Sequence, residues 1–397
     1  MYKLSDFFDN VPEFDFNNEQ KKLIESLTFL KSLSVEEFTF FKKWSELNKP
    51  TIANDIGSDA SIIENKIWKP SDINNLESTI NEIQSINPEI IFVAENSKYY
   101  RDWLIVRLMC HTMEYNQSPG RFIRFLIADK TSGKYLGVLS VASDVISITD
   151  RDNYIGWTSD NKLKDKKLAH SAIGSCIMAT QPFGYNFLGG KLMACLITSS
   201  VIRNKWKELY NQTLVSMTTT SLYGSYSMYN SLKWWHKCGT SSGKILITPS
   251  QDCYDTWHDW IKKNRKDEYI KAMTQKEGVS GPVTAAKLKI LSMIMSACNI
   301  KQKDFCHGYL RGVYSSLFYE NTKEFLCNKL TEDKLVMKSL FKSDIDGIMS
   351  WWKVKAVDRY KTLHAENRLK PNVLFYDKMI GMSYNEAKNK YFSDVGN

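Results

Sequence analysis

The sequence predicts an α/β (α+β) fold with a mixed sheet and flanking helices in the middle of the chain and helical regions at both ends. Short apolar and β-branched runs separated by turns fill the middle of the 397-residue chain, and such runs are typical of strands. Apolar residues at helical spacing dominate before residue 90 and after residue 265. Because this length exceeds one ordinary domain, we expect a helical N-terminal region over 1–90, a core domain over 91–265 and a helical C-terminal region over 266–397.

Composition and charge exclude several classes of protein. The chain is 43% hydrophobic and 24% charged, as is usual for a globular protein. It has neither the ~18 consecutive apolar residues of a membrane span nor a secretory signal, so we expect a cytoplasmic protein without a membrane partner. Eight cysteines without a CxxC pair and six widely spaced histidines indicate neither a disulfide framework nor a metal site. A formal net charge of +9 is equally compatible with a polyanionic partner such as DNA and with simple solubility.

Helical spacing marks the N-terminal region and the end of the chain. Before residue 90 it occurs in KKLIESLTFLKSL, SVEEFTFFKKWSEL and LESTINEIQSI. Ser34 ahead of two glutamates is typical of a helix start. Beyond Lys262 we expect no strands, and we predict helices in AAKLKILSMIMSACN and over residues 340–370.

The core domain contains alternating predicted strands and helices. IIFVAE and SKYYRDWLIVRLMCHTM predict a strand followed by a helix. RFIRFLIAD and KYLGVLSVAS flank the turn residues KTSG and predict an antiparallel hairpin. SCIMATQPF and LVSMTTTS predict two further strands, SYSMYNSLKWWHKCG predicts a helix, and GKILITP predicts the last strand of the set.

The strongest local signal is a glycine-rich segment that runs from a strand into a helix. The predicted strand ends at Gln181-Pro-Phe, and Gly184, Gly189 and Gly190 precede a predicted helix of about five turns, LMACLITSSVIRNKWKELY. Glycines let backbone N–H groups approach a ligand, and a helix N-terminus adds unpaired donors, so the segment predicts a pyrophosphate site. The spacing does not match GxGxxG, and Lys191 is followed by Leu rather than Ser or Thr, so the pattern argues against nucleotide triphosphate hydrolysis at a Walker-type site. The alternative is a tight turn whose glycines serve packing alone.

The order of these elements resembles the GCN5-related N-acetyltransferase fold, in which a glycine-rich loop after the fourth core strand holds the pyrophosphate of acetyl-coenzyme A. Three runs resemble more closely a phage and bacterial group allied to that fold: YIGWT, PFGYNFLGGK and TTTSLYGSYSMYNSLKWWHKCGTSSGK. That group includes the Mom-type DNA-modification proteins and the DruA-like proteins of the Druantia defence system. The resemblance covers about half of the chain. It implies an acetyltransferase-like core, in the host cell cytoplasm if the chain is encoded by a phage.

The resemblance also implies roles for individual residues. Tyr229, in a segment similar to the tyrosine motif of those enzymes, would be the general acid that returns a proton to the departing thiolate; the alternative is a core aromatic residue. The donor would be acyl-coenzyme A or a related phosphate-bearing molecule. Its phosphates would contact Gln181, Gly184, Asn186, Gly189, Gly190 and Lys191.

Hydroxyl and carboxyl groups lie near the predicted cleft. The run TTTSLYGSY ends a predicted strand, and ligands in an open α/β sheet sit beyond the carboxyl ends of strands. Ser221 is therefore a candidate catalytic residue, and Tyr223 and Tyr226 are candidate nucleic-acid contacts; the alternative is a polar turn that caps the next helix. Asp152, with Asp144 and Asp150 as neighbours in sequence, is our candidate general base.

Aromatic and basic residues predict contacts with nucleic acid. Tyr154 and Trp157 follow Asp-Arg-Asp in a predicted loop, and could stack on and read a flipped base; the alternative is an aromatic anchor that docks the loop on the core. In the C-terminal region, basic residues alternate with Trp351, Trp352 and Tyr360, which is typical either of a nucleic-acid surface or of a solvated charged face. The candidate basic contacts are Arg311, Lys353, Lys355 and Arg359.

Taken together, the sequence predicts an acyltransferase-like enzyme that modifies a nucleobase in DNA. One alternative is a non-catalytic nucleic-acid-binding protein of a phage or an anti-phage defence system. A second alternative is a small-molecule or protein N-acetyltransferase.

Overall fold

The computed structural model describes residues 14–49, 52–53, 56, 59–111, 120–221, 227–241, 244–274, 286–308, 311–370 and 379–395. The chain forms two compact units. The smaller unit is built from Met1–Phe38 and Gly243–Tyr309, and the larger unit from Thr39–Ser242 and Leu310–Asn397.

Nine described strands follow one another along the chain: β1 (Pro88–Val93), β2 (Phe122–Asp129), β3 (Tyr135–Ser143), β4 (Ser171–Ala179), β5 (Ser216–Ser221), β6 (His236–Ser241), β7 (Lys244–Leu246), β8 (Cys306–Gly308) and β9 (Arg311–Leu317). Seven of them form a mixed sheet in the larger unit, in the order β1-β2-β3-β4-β5-β9-β6. Among these strands β4 and β5 alone pair in parallel, and the other neighbours are antiparallel. The mixed sheet confirms the predicted fold class.

The described α-helices are α1 (Phe16–Ser32), α2 (Val35–Leu47), α3 (Ala60–Lys66), α4 (Leu76–Ser85), α5 (Tyr100–Cys110), α6 (Thr149–Ile155), α7 (Ser159–Leu163), α8 (Phe183–Asn186), α9 (Gly189–Leu196), α10 (Ser200–Tyr210), α11 (Gln251–Asn264), α12 (Lys266–Met273), α13 (Ala286–Ala297), α14 (Thr322–Leu326), α15 (Ser339–Lys342), α16 (Asp344–Ala365) and α17 (Tyr384–Val395). The predicted helices of the N-terminal region, the helix after β1 and those near residues 290 and 350 are confirmed. No described helix is both long enough and apolar enough to cross a membrane.

The core of the larger unit lies on both faces of the sheet. On one face, α4, α9 and α16 pack around a cluster that includes Trp68, Phe183 and Trp352. On the other face, α5 covers β1 to β4 with Trp103 at the centre of a second cluster. Because β2 and β3 are covered on both faces, their sequences are nearly continuous apolar runs, which confirms the predicted hairpin.

The smaller unit combines α1, α11, α12 and α13 with the short antiparallel pair β7–β8. Phe14 and Phe16 pack edge-on against Trp257, with ring centroids 5.1 and 5.3 Å apart. An imidazole nitrogen of the buried His307 lies 3.0 Å from the carbonyl oxygen of Leu30. The run GKILITP contains strand β7, as predicted, but this strand belongs to a separate two-stranded sheet with β8.

Three predictions of local structure are wrong. The expected five-turn helix after the glycines is divided into α9 and α10, because the Thr198 hydroxyl bonds back to the carbonyl of Cys195 and the Ser200 hydroxyl bonds to Asp344. The described part of SYSMYNSLKWWHKCG, residues 227–239, forms turns and the start of β6 instead of a helix. The C-terminal region is not free of strands, since it supplies β8 and β9, and β9 lies between β5 and β6 in the large sheet.

Candidate functional site

The candidate site lies where the parallel strands β4 and β5 stop pairing. Their described register has three residue pairs and ends at Ile173 with Thr218. At the next position the Thr219 hydroxyl donates to the carbonyl oxygen of Gly174 over 3.1 Å, so a side chain replaces the backbone ladder. β4 then continues beside β3, and β5 continues beside β9. β4 and β5 therefore diverge toward their carboxyl ends; we call this divergence the gap, and open sheets bind ligands at such ends.

The glycine-rich segment after β4 is a helical turn, a sharp bend and a second helix, rather than the expected loop. Leu188 forms the bend with a φ of 53° and precedes α9. A Cβ at Gly189 would lie 2.4 Å from the ring of Phe183, so only glycine fits there. A Cβ at Gly190 would meet the flexible Met228 side chain at 3.2 Å. The packing alternative is therefore supported at Gly189, whereas Gly190 is partly exposed and less confined.

The indole group of Trp352 in α16 holds this bend in place. Its indole N–H donates to the carbonyl oxygens of Phe187 at 3.0 Å and Leu188 at 3.3 Å. The Trp352 side chain is fully buried. The bond to Phe187 supplies a donor for a carbonyl group at the bend, whereas the Leu188 carbonyl also accepts from the backbone N–H groups of Lys191 at 3.0 Å and Leu192 at 3.1 Å.

The polar side chains of the segment bond to the protein itself. Gln181 lies against Gly184, and its Oε1 accepts a hydrogen bond from the backbone N–H of Tyr185 at 3.0 Å. The fully buried Asn186 accepts from the backbone N–H of Lys370 at 3.1 Å and donates to the carbonyl oxygen of Lys370 at 3.2 Å. The structure thus assigns structural contacts to two residues predicted to bind a cofactor.

Lys191 connects the glycine-rich segment to the turn that follows β5. Its Nζ donates to the carbonyl oxygen of Asn230 at 3.0 Å. Burial lowers the pKa of the Lys191 ammonium group. Asn230 is held in turn, because its Oδ1 accepts from the hydroxyl of Tyr314 at 2.8 Å. The start of α9 and the turn that contains Tyr229 are therefore neighbours.

Tyr229 lies in this turn with its ring in the core. The residue is 5% exposed and contacts the rings of Trp235 and Tyr314. Its hydroxyl is 3.5 Å from the hydroxyl of Thr219. Burial raises the pKa of Tyr229, so the phenol keeps its proton at neutral pH. Ser221 lies two residues beyond Thr219 and therefore on the same face of β5.

The carboxylates predicted near the cleft lie on the opposite face of β5. Thr218 projects to that face, and its hydroxyl donates to Asp144 at 3.1 Å. Arg151 binds Asp144 at 2.6 Å, and both side chains are fully buried. Burial raises the pKa of Asp144, and the Arg151 charge opposes that rise. This buried pair anchors α6 to the sheet.

Asp152 belongs to the same ionic network. It binds Arg151 at 2.6 Å, Lys162 at 2.5 Å and the indole N–H of Trp157 at 2.7 Å. Burial alone would raise the pKa of Asp152, but hydrogen bonds from Lys162 and Trp157 and the Arg151 charge hold it below its ordinary value. A carboxylate so strongly stabilised is a weak base. The structure does not bring Asp152 together with Tyr229.

The aromatic residues predicted to stack on a base are largely engaged. Tyr154 lies in α6 rather than in a loop, and its ring stacks on His236 with centroids 4.1 Å apart. Trp157 is buried and its indole N–H binds Asp152, which supports the anchor alternative. Tyr223 and Tyr226 lie outside the described residues.

The predicted basic contacts lie on two elements. Arg311 begins β9, whereas Lys353, Lys355 and Arg359 project from α16. Lys353 donates to the carbonyl oxygen of Gln84, and Lys355 is exposed beside Asp358. The Arg359 guanidinium lies 5.3 Å from the ring centroid of Tyr185. The interleaved Trp352 and Tyr360 are core residues and cannot stack on a base, whereas Trp351 is partly buried.

Tyr185 and Lys370 contact each other near the glycine-rich segment, but the sequence did not single them out as site residues. Tyr185 stands inside the glycine-rich segment, and Lys370 continues a basic run, but nothing local indicates that they meet. No described group of three or more His, Cys, Asp or Glu residues could hold a metal ion.

These features define an α+β protein whose mixed sheet carries a glycine-rich helix start beside a buried tyrosine. The chain belongs to the family described as Druantia protein DruA, whose family model matches residues 43–328. It is 32% identical over 126 residues to the "Druantia protein DruA" of Escherichia coli (strain UMEA 4076-1). That match spans 29% of this chain and 30% of the relative's length. No solved structure matches the chain.

The family match confirms the DruA-like part of the resemblance seen in the sequence. Membership of the acetyltransferase fold and likeness to Mom-type proteins stay predictions. The roles predicted for individual site residues also stay predictions.

Proposed function

We propose that the protein is a component of an anti-phage defence system and transfers an acyl group from a phosphate-bearing donor to a nucleobase in DNA. The observation that carries this proposal is the gap between β4 and β5. The start of α9 flanks the gap on one side, and the turn with Tyr229 flanks it on the other. A site at the carboxyl ends of two separating parallel strands is where an α/β sheet binds its ligands.

The fit to a phosphate group rests on the start of α9. The first N–H groups of a helix have no partner one turn earlier, and although that of Lys191 bonds to the carbonyl oxygen of Leu188 at 3.0 Å, those of Gly189 and Gly190 come before it, and Gly190 is partly exposed. Lys191 adds a positive charge beside the same turn. We leave Gln181 and Asn186 out of the proposed site because Oε1 of Gln181 and the amide of Asn186 already bond to the protein. The donor would supply the acyl group and a thiolate leaving group.

Tyr229 is the proposed proton source. Burial raises the pKa of Tyr229, which keeps the phenol protonated at neutral pH but also makes it a weaker acid, and the hydroxyl of Thr219 lies 3.5 Å from it. A protonated phenol is suited to return a proton to a departing thiolate. The exocyclic amine of a nucleobase is neutral at physiological pH, so it can attack the acyl carbonyl without first losing a proton. As the C–N bond forms and the C–S bond breaks, Tyr229 gives its proton to the thiolate, and the proton that the amine loses replaces it. An alkyl amine would be cationic and would need a base to remove its proton before it attacks. The carboxylates of the Asp144 network lie on the other face of β5 from Tyr229, so the site fits a nucleobase amine better than an alkyl amine.

Intact-nucleoside mass spectrometry on DNA from cells that express the protein tests this proposal. We expect a new nucleoside mass with the wild type and its loss with Tyr229→Phe. Tyr360→Phe is the matched control, because it also removes a buried phenol, one that donates to the carbonyl oxygen of Ile73 at 2.7 Å. DNA that is unmodified in the wild type would refute the acyl-transfer proposal, and equal modification in Tyr229→Phe would refute the role of that residue.

A second candidate function is non-catalytic binding of nucleic acid. It is favoured by the engagement of Gln181, Asn186 and Lys191 with the protein and by the burial of Tyr229. This function predicts unmodified DNA together with a salt-dependent affinity for DNA. An absence of both would exclude it.

A further inference from the structure

A cluster of cations surrounds the ring of Tyr185 at the exposed side of the glycine-rich segment. The Arg359 guanidinium lies 5.3 Å from the ring centroid, and the Lys370 ammonium lies 5.5 Å from it. Arg368 is exposed and lies near the side chain of Tyr185. We call these four residues the Tyr185 surface. They come from α8, α16 and the segment after α16.

The ring positions these cations without neutralising them. Cation–π contacts orient Arg and Lys while leaving their charge and N–H donors available. Arg359 forms no salt bridge with a described carboxylate, and its Nε, which is buried, has no hydrogen-bond partner among the described groups, so an anion would meet the outer nitrogens of the guanidinium. Arg368 pairs with Glu366, but both side chains are exposed, and such pairs contribute little. The surface therefore keeps an excess of positive charge.

Asn186 holds Lys370 in place. Both the N–H and the carbonyl group of Lys370 bond to the buried amide of Asn186, one residue after Tyr185. The Lys370 backbone is thus fixed beside the ring, which removes the backbone part of the ordering that its ammonium group needs when it binds an anion. A buried residue that seemed to belong to a cofactor site instead preorganises a cation.

The charge extends along α16 and beyond. Residues 353–370 contain six lysines and arginines against two carboxylates. Lys355 precedes Arg359 by one helical turn and is exposed on the same side of α16. This stretch lies beyond residue 328, where the family match ends, so the surface combines a residue inside the match with residues outside it.

We infer that the Tyr185 surface binds the phosphate backbone of a polynucleotide. Separate cations held apart on a neutral ring and along a helix fit a repeating row of phosphates better than a single anion. The inference rests on the proposed function only in taking DNA as the partner. It adds the surface on which the DNA lies beside the start of α9.

Binding of a fluorescently labelled DNA duplex and of its single strand, measured by anisotropy from about 50 to about 200 mM salt, tests the inference. We expect Arg359→Gln with Lys370→Gln to weaken binding about tenfold and to reduce the salt slope by about 2. Lys301→Gln with Lys303→Gln in the smaller unit is the charge-matched control, because both lysines are exposed. Equal weakening in the control, or no weakening in the test variant, would overturn the inference.

The ring provides a second test. Tyr185→Phe keeps the aromatic face and should bind DNA like the wild type, whereas Tyr185→Leu should lose about threefold because the cations lose their support. Equal binding by all three proteins would contradict the role of the ring. Thermal melting of each variant checks that the fold is intact.

Two further outcomes separate this inference from the proposed function. If the Arg359 and Lys370 variant loses affinity for coenzyme A in calorimetry but not for DNA, the surface holds donor phosphates and the inference fails. If wild-type cells contain no modified nucleoside but the variant loses affinity for DNA, acyl transfer fails and the inference stands.

Discussion

The buried pair of Asp144 and Arg151 leads to the sharpest prediction of stability. Arg151 donates to Asp144 at 2.6 Å, to Asp152 at 2.6 Å and to the carbonyl oxygen of Val145 at 2.8 Å. Both members of the pair are fully buried. Replacement of Arg151 by Met keeps most of the side-chain volume but leaves the Asp144 carboxylate buried without its counter-ion. Breaking a pair of this kind destabilises a protein by about 3–5 kcal/mol.

The double variant Asp144→Asn with Arg151→Met is the control that separates the cost of an unpaired buried charge from the cost of losing the side chains. It removes both charges, and replacing a whole buried pair by uncharged groups costs far less than removing one member. Thr218 and Ser171 can still bond to the new amide. We therefore expect the double variant to be more stable than Arg151→Met alone.

The loss of stability in Arg151→Met should depend on pH in a direction that follows from the pKa of Asp144. Burial raises the pKa of Asp144, and Arg151 opposes the rise, so Arg151→Met raises this pKa further. A carboxyl group with a raised pKa in the folded state favours folding at low pH and loses that contribution as pH rises through the folded pKa. The deficit of Arg151→Met should therefore be largest at neutral pH and shrink on acidification.

Guanidinium chloride unfolding, followed by tryptophan fluorescence and circular dichroism between about pH 5 and pH 8, measures these free energies. A deficit for Arg151→Met below about 1 kcal/mol would contradict the buried-charge argument, since exposed pairs contribute that little. A deficit that grows on acidification would contradict the sign derived from Asp144.

Three further predictions concern packing, local order and titration. Gly189→Ala should lower the melting temperature strongly, because its Cβ would lie 2.4 Å from an aromatic ring, whereas Gly190→Ala should be tolerated; equal melting temperatures would contradict this. Asn186→Leu should cost about 1–3 kcal/mol and increase hydrogen exchange at Lys370, because it leaves both backbone groups of Lys370 unpaired; unchanged exchange would argue against that contact. Lys43 is buried, and burial lowers its pKa to about 8, so the wild type should gain stability over Lys43→Met between about pH 8 and pH 10; denaturant titrations that show no gain would refute this.

The glycine positions also decide how the proposed site is best probed. A bulky residue at Gly189 would disturb the core through Phe183, so a loss of activity there would not distinguish chemistry from folding. A change at Gly190 meets only the flexible Met228 side chain. Gly190→Ala is therefore the better probe of phosphate binding at the start of α9.

Local patterns in the sequence predicted most of the regular elements. The hairpin of β2 and β3 follows from two apolar runs around a turn, and α1, α4 and α16 follow from apolar residues at helical spacing. The junction of strand, glycines and helix after β4 was equally visible. These features depend on residues that are close in sequence, so the sequence alone indicates them.

The partners of these elements were decided by the tertiary structure. β9 pairs with β5 although 89 residues lie between the two strands, and no local pattern in RGVYSSL specifies that pairing. Thr218 and Thr219 are adjacent in sequence, yet they lie on opposite faces of β5. Thr218 contacts Asp144 on one face and Thr219 contacts Tyr229 on the other, so the two groups do not share a site. The Arg359 contact with Tyr185 joins residues from α16 and α8. The sequence by itself determined the elements and the glycine bend, whereas the assembly of the sheet decided which side chains share a site, because contacts between distant segments leave no periodic signal along the chain.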